Sequence, residues 1–109
     1  MTYREIEQMI SRTGLEHTYY QWDAGNAPEL PYILFYYPER NDFIADGRNY
    51  LKITKVNIEL YSDNKDFENE SVIEALLDEY GLVYTKEEQY ISDERMYETL
   101  YTLEVNLDE

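Results

Sequence analysis

The 109-residue chain contains no cysteine. Disulfide cross-links are excluded, and with them thiolate nucleophiles and the cysteine-ligated zinc sites that staple many small domains. Histidine occurs once, at His17, so no pair of imidazoles exists to hold a transition metal. Basic residues are scarce: 9 Lys and Arg stand against 24 Asp and Glu, a formal net charge of −15. A field of that sign repels nucleic-acid phosphates and anionic membranes. The 4 glycines form no phosphate-cradling loop, and the few bases form no stripe for nucleic-acid readout. No apolar run approaches the length of a membrane span. The opening Met1-Thr-Tyr-Arg-Glu-Ile-Glu7 is charged and lacks an apolar h-region, so it does not read as a signal peptide.

What is plentiful is tyrosine, with 13 copies. Its apolar ring and polar tip suit half-buried sheet faces and interfaces. With 43% hydrophobic residues the chain is not expected to be disordered despite its charge. Its length fits one domain, 1–109, able to bury about two-thirds of its unfolded surface. The charge is lopsided: residues 1–54 hold 8 acids and 5 bases, residues 55–109 hold 16 and 4.

The periodicities predict an α+β fold in the order α-β-β-β-β-α-β-β, a mainly antiparallel sheet with two helices on one face. Thr2 and Glu5 form a capping box for a helix over 2–13, stopped by Gly14. Strands are expected over 16–22 and 32–37, the second fenced by Pro31 and Pro38 and buried on both sides. The centre of the chain is Phe43 to Tyr61. There Asp46-Gly47 sits between apolar runs, the strongest short hairpin signal. A two-residue loop pairs Ala45 with Arg48, Ile44 with Asn49 and Phe43 with Tyr50. The strand that follows changes phase between Leu51–Ile53 and Val56–Ile58–Leu60, which a bulge or bend near Thr54-Lys55 would repair. Asp66 caps a second helix over 67–80, with Ile73, Leu76, Leu77 and Tyr80 as its stripe. A wet edge strand over 82–91 and a long strand over 96–107 complete the order.

Motifs that carry chemistry are largely missing. Serine catalysis would need His17 beside Ser11, Ser62, Ser71 or Ser92, none in a nucleophile elbow. Asp63 to Glu70 fails as a calcium loop, because Lys65 and Glu68 stand where a ligand and a glycine belong. Carboxylate pairs are too abundant among 24 acids to single one out, and Glu87-Glu88 reads as a solvated face. Catalytic, cofactor and metal residues are therefore none, and the chain is not expected to be an enzyme. Two stretches stand out as interface candidates. One is the loop carrying the only tryptophan, Trp22, with Pro28, Leu30 and Pro31; the other is the hairpin with Phe43, Asp46 and Gly47.

Three segments together carry a resemblance. They are Ala24-Gly-Asn-Ala-Pro-Glu-Leu-Pro-Tyr32, Phe43-Ile-Ala-Asp-Gly47 and Val56-Asn-Ile-Glu-Leu-Tyr61. In this order the chain resembles the small tail-completion, or tail-terminator, proteins of long-tailed phages and prophages of Gram-positive bacteria, most strongly from Trp22 to Tyr61. The resemblance implies a non-enzymatic virion tail protein, assembled in the host cytoplasm. It implies a ring of copies, commonly a hexamer, that caps the tail-tube protein and joins it to the head–tail connector. DNA would slide through the lumen without specific binding, which an acidic wall favours. The competing expectations are a neighbouring head–tail joining or minor tail component, and an acidic protein-binding module such as a DNA mimic. A mimic should space its carboxylates along one face, whereas here they are scattered over helix and strands.

Overall fold

A computed structural model describes residues 1–107. Helix α1 spans Tyr3–Ser11 and starts as its capping box dictates: Glu5 N–H donates to Thr2 Oγ1 at 3.1 Å, and Thr2 N–H to Glu5 Oε1 at 3.0 Å. Ile6, Met9 and Ile10 form its buried face. Strands β1 (Glu16–Tyr19), β2 (Tyr32–Tyr36), β3 (Phe43–Ala45), β4 (Arg48–Leu51) and β5 (Thr54–Ser62) follow. Helix α2 (Phe67–Glu79) begins where Asp66 accepts Asn69 N–H at 3.0 Å. Strands β6 (Tyr84–Ile91) and β7 (Met96–Val105) close the order α-β-β-β-β-β-α-β-β, an α+β architecture with two helices among the described residues.

Five strands make one sheet in the order β1-β2-β5-β7-β6. All pairs are antiparallel except β1 with β2. β5 is central, and its alternation decides the layers. Val56, Ile58 and Leu60 point to one side and are at most 1% exposed. Met9 and Ile10 of α1 and Ile73, Leu76 and Leu77 of α2 pack there on Ile33 and Ile58, leaving about 10 Å³ of free space between them. Both helices thus cover the same face, with Tyr101, Leu103 and Val105 of β7 beneath them.

The stretch from 48 to 61 is not one strand. It breaks at Lys52 and Ile53, so the order gains a strand, and the break falls just before the Thr54-Lys55 site expected from the phase change. β3 and β4 form a separate two-stranded ribbon. Ala45 faces Arg48 and Ile44 faces Asn49 as expected, but Phe43 pairs with Leu51, not Tyr50, across an irregularity between Phe43 and Ile44. The extra residue shifts the backbone partner by one while the Phe43 and Tyr50 rings still meet edge-on, their centroids 6.4 Å apart. β1 also stops earlier than expected. Tyr20 takes φ +66°, a left-handed conformation that ends the strand three residues short of the expected 22.

Candidate functional site

Two surfaces gather several side chains that the core does not use. The first is the sheet face turned away from the helices. Alternation puts Asn57, Glu59 and Tyr61 of β5 there, with Tyr32, Leu34 and Tyr36 of β2, Glu98, Leu100 and Thr102 of β7, and Glu87 and Gln89 of β6. Glu59 and Glu98 are only 8% and 7% exposed. The Tyr61 hydroxyl lies 3.0 Å from Glu59 Oε1 and 3.0 Å from Glu98 Oε2. Tyr36 Oη donates to Glu59 at 3.3 Å, and Gln89 Nε2 donates to Glu98. Every donor at this pair is neutral.

Proton counting then constrains the pair. A phenol has one hydrogen and cannot donate to two carboxylates. The second short contact is satisfied when a carboxyl carries a proton. Burial, then the hydrogen bond and charge of Glu98, push the Glu59 carboxyl up to about 7. Burial raises Glu98 too, but hydrogen bonds from Glu59, Gln89 and Tyr61 outweigh it and hold Glu98 below the usual range. The pair shares one proton, held chiefly by Glu59. Folding binds this proton more tightly than the unfolded chain does. The associated stability is therefore complete below the ordinary glutamate range and is lost as pH rises through about 7. Wild-type protein is expected to melt at a lower temperature at pH 8.5 than at pH 6, and Glu59→Gln to remove most of that difference. Calorimetry at both pH values checks this, and equal slopes in the two proteins would refute it.

The second surface is the β3–β4 ribbon. Phe43, Ile44, Tyr50 and Leu51 are 58%, 66%, 73% and 40% exposed. Covering what remains exposed would return about 0.6–2 kcal/mol for each. A two-stranded ribbon has little stability of its own in water, and its root is clamped instead. Asp42 accepts from Arg40 Nη2 at 2.7 Å, Asn49 Nδ2 at 2.7 Å and Ile53 N–H at 3.0 Å. The hydrogen bonds from Arg40 and Asn49 hold its carboxyl down at about 2. The clamp fixes where the ribbon leaves the domain but covers none of its apolar side chains.

The two interface stretches expected from sequence behave differently. Trp22 is half-buried, its ring edge-on to Tyr32 at 5.4 Å, and Pro28, Leu30 and Pro31 are also partly covered. Trp22 packs on its own domain, with Nε1 buried and unpaired, while residues 23–27 and Glu29 stay exposed. Phe43, Asp46 and Gly47 stay exposed on the ribbon, where Asp46 and Gly47 take the positive φ of the turn, +54° and +71°.

Sequence reasoning missed one arrangement and named but set aside another. Glu59 and Glu98 lie 39 positions apart, and only the β5–β7 pairing brings them together. The other is Ser11 with His17: Ser11 Oγ is 3.3 Å from His17 Nε2, and His17 Nδ1 is 3.0 Å from the Leu15 carbonyl oxygen. The geometry is ill-suited to nucleophilic attack. Ser11 Oγ also donates to the Glu7 carbonyl at 3.0 Å, and Ser11 ends α1, where the helix dipole opposes an oxyanion. No group of three or more metal-ligating side chains is assembled among the described residues, and among them no helix is long and apolar enough to cross a membrane.

No protein-family model matches the chain, and a search of curated proteins finds none similar to it.

Proposed function

We propose that the chain is a structural subunit of a long-tailed phage tail, of the terminator type, that closes into a ring on the tail tube and joins it to the head connector. The observation that carries this reading is the β3–β4 ribbon, which presents four bare apolar side chains on a clamped root. A domain whose helices and sheet already share a complete core has no internal use for such an arm. An assembly does, because the arm's surface is buried only by another molecule. The resemblance from Trp22 to Tyr61 supports the same reading, and the net charge of −15 suits a ring through which DNA passes without sticking. Tube protein and connector are the proposed partners, the virion tail the proposed location, and no catalytic step is assigned.

The test is direct. Purified protein, alone and mixed with its tail-tube protein, is expected to give closed rings by negative-stain electron microscopy and a multiple of the 13.2 kDa chain mass by light scattering. Monomers under both conditions at high concentration would overturn the reading.

A further inference from the structure

The positive charge of this acidic protein is concentrated on the arm and the chain segments at its root. Residues 40–55 hold four of the nine bases, Arg40, Arg48, Lys52 and Lys55, and only two of the 24 acids, Asp42 and Asp46. That segment is net +2 and the remaining residues are net −17. Most bases are already paired within the chain: Arg12 with Glu79, Arg40 with Asp42, Lys55 with Glu39, Lys65 with Glu70 and Glu88, Lys86 with Glu70 and Glu74. Arg4, Arg48, Lys52 and Arg95 have no acidic partner among the described residues, and of these Arg48 and Lys52 are exposed beside the bare apolar side chains.

The open sheet face has the opposite need. At its centre Glu59 and Glu98 are buried against neutral donors from three strands: Tyr36, Tyr61 and Gln89. Glu87 and Glu104 lie on its margins. The cation sharing that face on β5 is Lys55, which is taken by Glu39 at 3.1 Å. Leu34 and Leu100, flanking Glu59 on the adjacent strands, remain partly exposed. The face therefore combines apolar side chains with carboxyls that no cation neutralises. The arm combines apolar side chains with cations that no carboxyl neutralises.

We propose that the arm of one copy lies across the open sheet face of a second copy, with Phe43, Tyr50 and Leu51, which share one side of the ribbon, against Leu34 and Leu100, and Arg48 and Lys52 against the Glu59–Glu98 pair and its acidic margin. Arm and face are different parts of the same chain, so the contact is head-to-tail, and repetition by a fixed rotation closes a ring. The guanidinium offers donors and charge where a shared proton now serves, so arm docking and the proton are alternatives at one place. The inference rests on the ring reading and names the two surfaces that build it.

Because the chain has no native cysteine, engineered ones report without background. Three full-length variants suffice: Tyr50→Cys on the arm, Thr85→Cys on the open-face side of β6, and Val72→Cys on the helix side. All three positions are exposed and outside the core. Mixed pairwise and treated with a short bismaleimide, Tyr50→Cys is expected to cross-link to Thr85→Cys and not to Val72→Cys. In parallel, Arg48→Glu with Lys52→Glu is expected to weaken association about tenfold or more, with the circular-dichroism spectrum unchanged. Cross-linking to Val72→Cys instead, or undiminished rings from the charge-reversed protein, would overturn the arm-on-face contact and leave the ring reading standing. Wild-type protein that never associates would overturn both.

Discussion

Replacing Tyr101 with alanine is expected to remove about 3–5 kcal/mol of folding stability, a large share of what a domain of this size has. Tyr101 has no exposed surface. It sits on β7 opposite Ile58, and its ring meets Tyr84 edge-on at 5.6 Å. Truncation opens a cavity under α2 that the rigid sheet cannot close. It also strips the hydroxyl that donates to Glu74 Oε2 at 2.7 Å. Tyr101→Phe separates the two losses: it keeps the ring and gives up one hydrogen bond to a charged acceptor, about 1.5–3 kcal/mol. Urea unfolding midpoints with unchanged slopes provide the measurement. A loss below about 1 kcal/mol for Tyr101→Ala would contradict the packing described.

Glu70→Ala is expected to be the next most damaging change, at about 2–4 kcal/mol. The Glu70 side chain is 3% exposed, and Lys65 Nζ approaches Oε2 at 2.5 Å and Lys86 Nζ approaches Oε1 at 2.8 Å. Without the carboxylate, two ammonium groups remain at the edge of the core. They are 26% and 37% exposed, so they can turn partly to water, which keeps the cost below that of a fully buried charge. Burial alone would raise the Glu70 carboxyl, but its two lysine partners outweigh that and hold it below the usual range. The pH signature is therefore opposite to that of Glu59. Stability from Glu70 is complete above the ordinary glutamate range and is lost as pH falls through its lowered value. Unfolding at pH 7 and in mild acid should show the gap between wild type and Glu70→Ala narrowing toward acid; a constant gap would exclude this role. Lys86 also reaches Glu74 at 2.8 Å, the acceptor of Tyr101, so the two substitutions share a network and should not add when combined.

Much of this fold is written locally. Thr2 with Glu5, Asp66, and Asp46-Gly47 each act within a few residues, and each sets its boundary where the sequence places it. The wet edge strand and the alternation of β7 are likewise properties of single segments. Partners across the sheet are less visible. Nothing near Phe43 announces that it will face Leu51, because the irregularity depends on how the clamped root at Asp42 aims the ribbon. The parallel pairing of β1 with β2 is equally silent in the sequence.

The candidate surfaces divide in the same way. The hairpin with Phe43, Asp46 and Gly47 could be singled out from its own residues. The Trp22 loop could be singled out too, but whether Trp22 faced a neighbour or its own Tyr32 depended on a strand ten positions further on. Glu59, Glu70 and Glu98 were three acids among 24, and their burial is decided by strands and helices distant in sequence. Alternation placed Glu98 on the outer face of β7, but an outer face need not be a wet one when tyrosines from two other strands lie over it.

The sheet order also orders the events of folding. β1 with β2 and β6 with β7 are pairs of strands consecutive in the chain, whereas both neighbours of β5 are remote: Tyr61 meets Tyr32 on one side and Glu98 on the other. The β6–β7 pair closes a four-residue turn and can form early, while the parallel β1–β2 pair spans a twelve-residue loop, and neither has a complete core without the other. β5 is the keystone that welds them, and the chain acquires its cooperativity when that strand docks. Nothing in the weld requires the arm, which leaves the chain between β2 and β5 and pairs only within itself. The part of the molecule proposed to meet a neighbour is thus the part its own folding can do without.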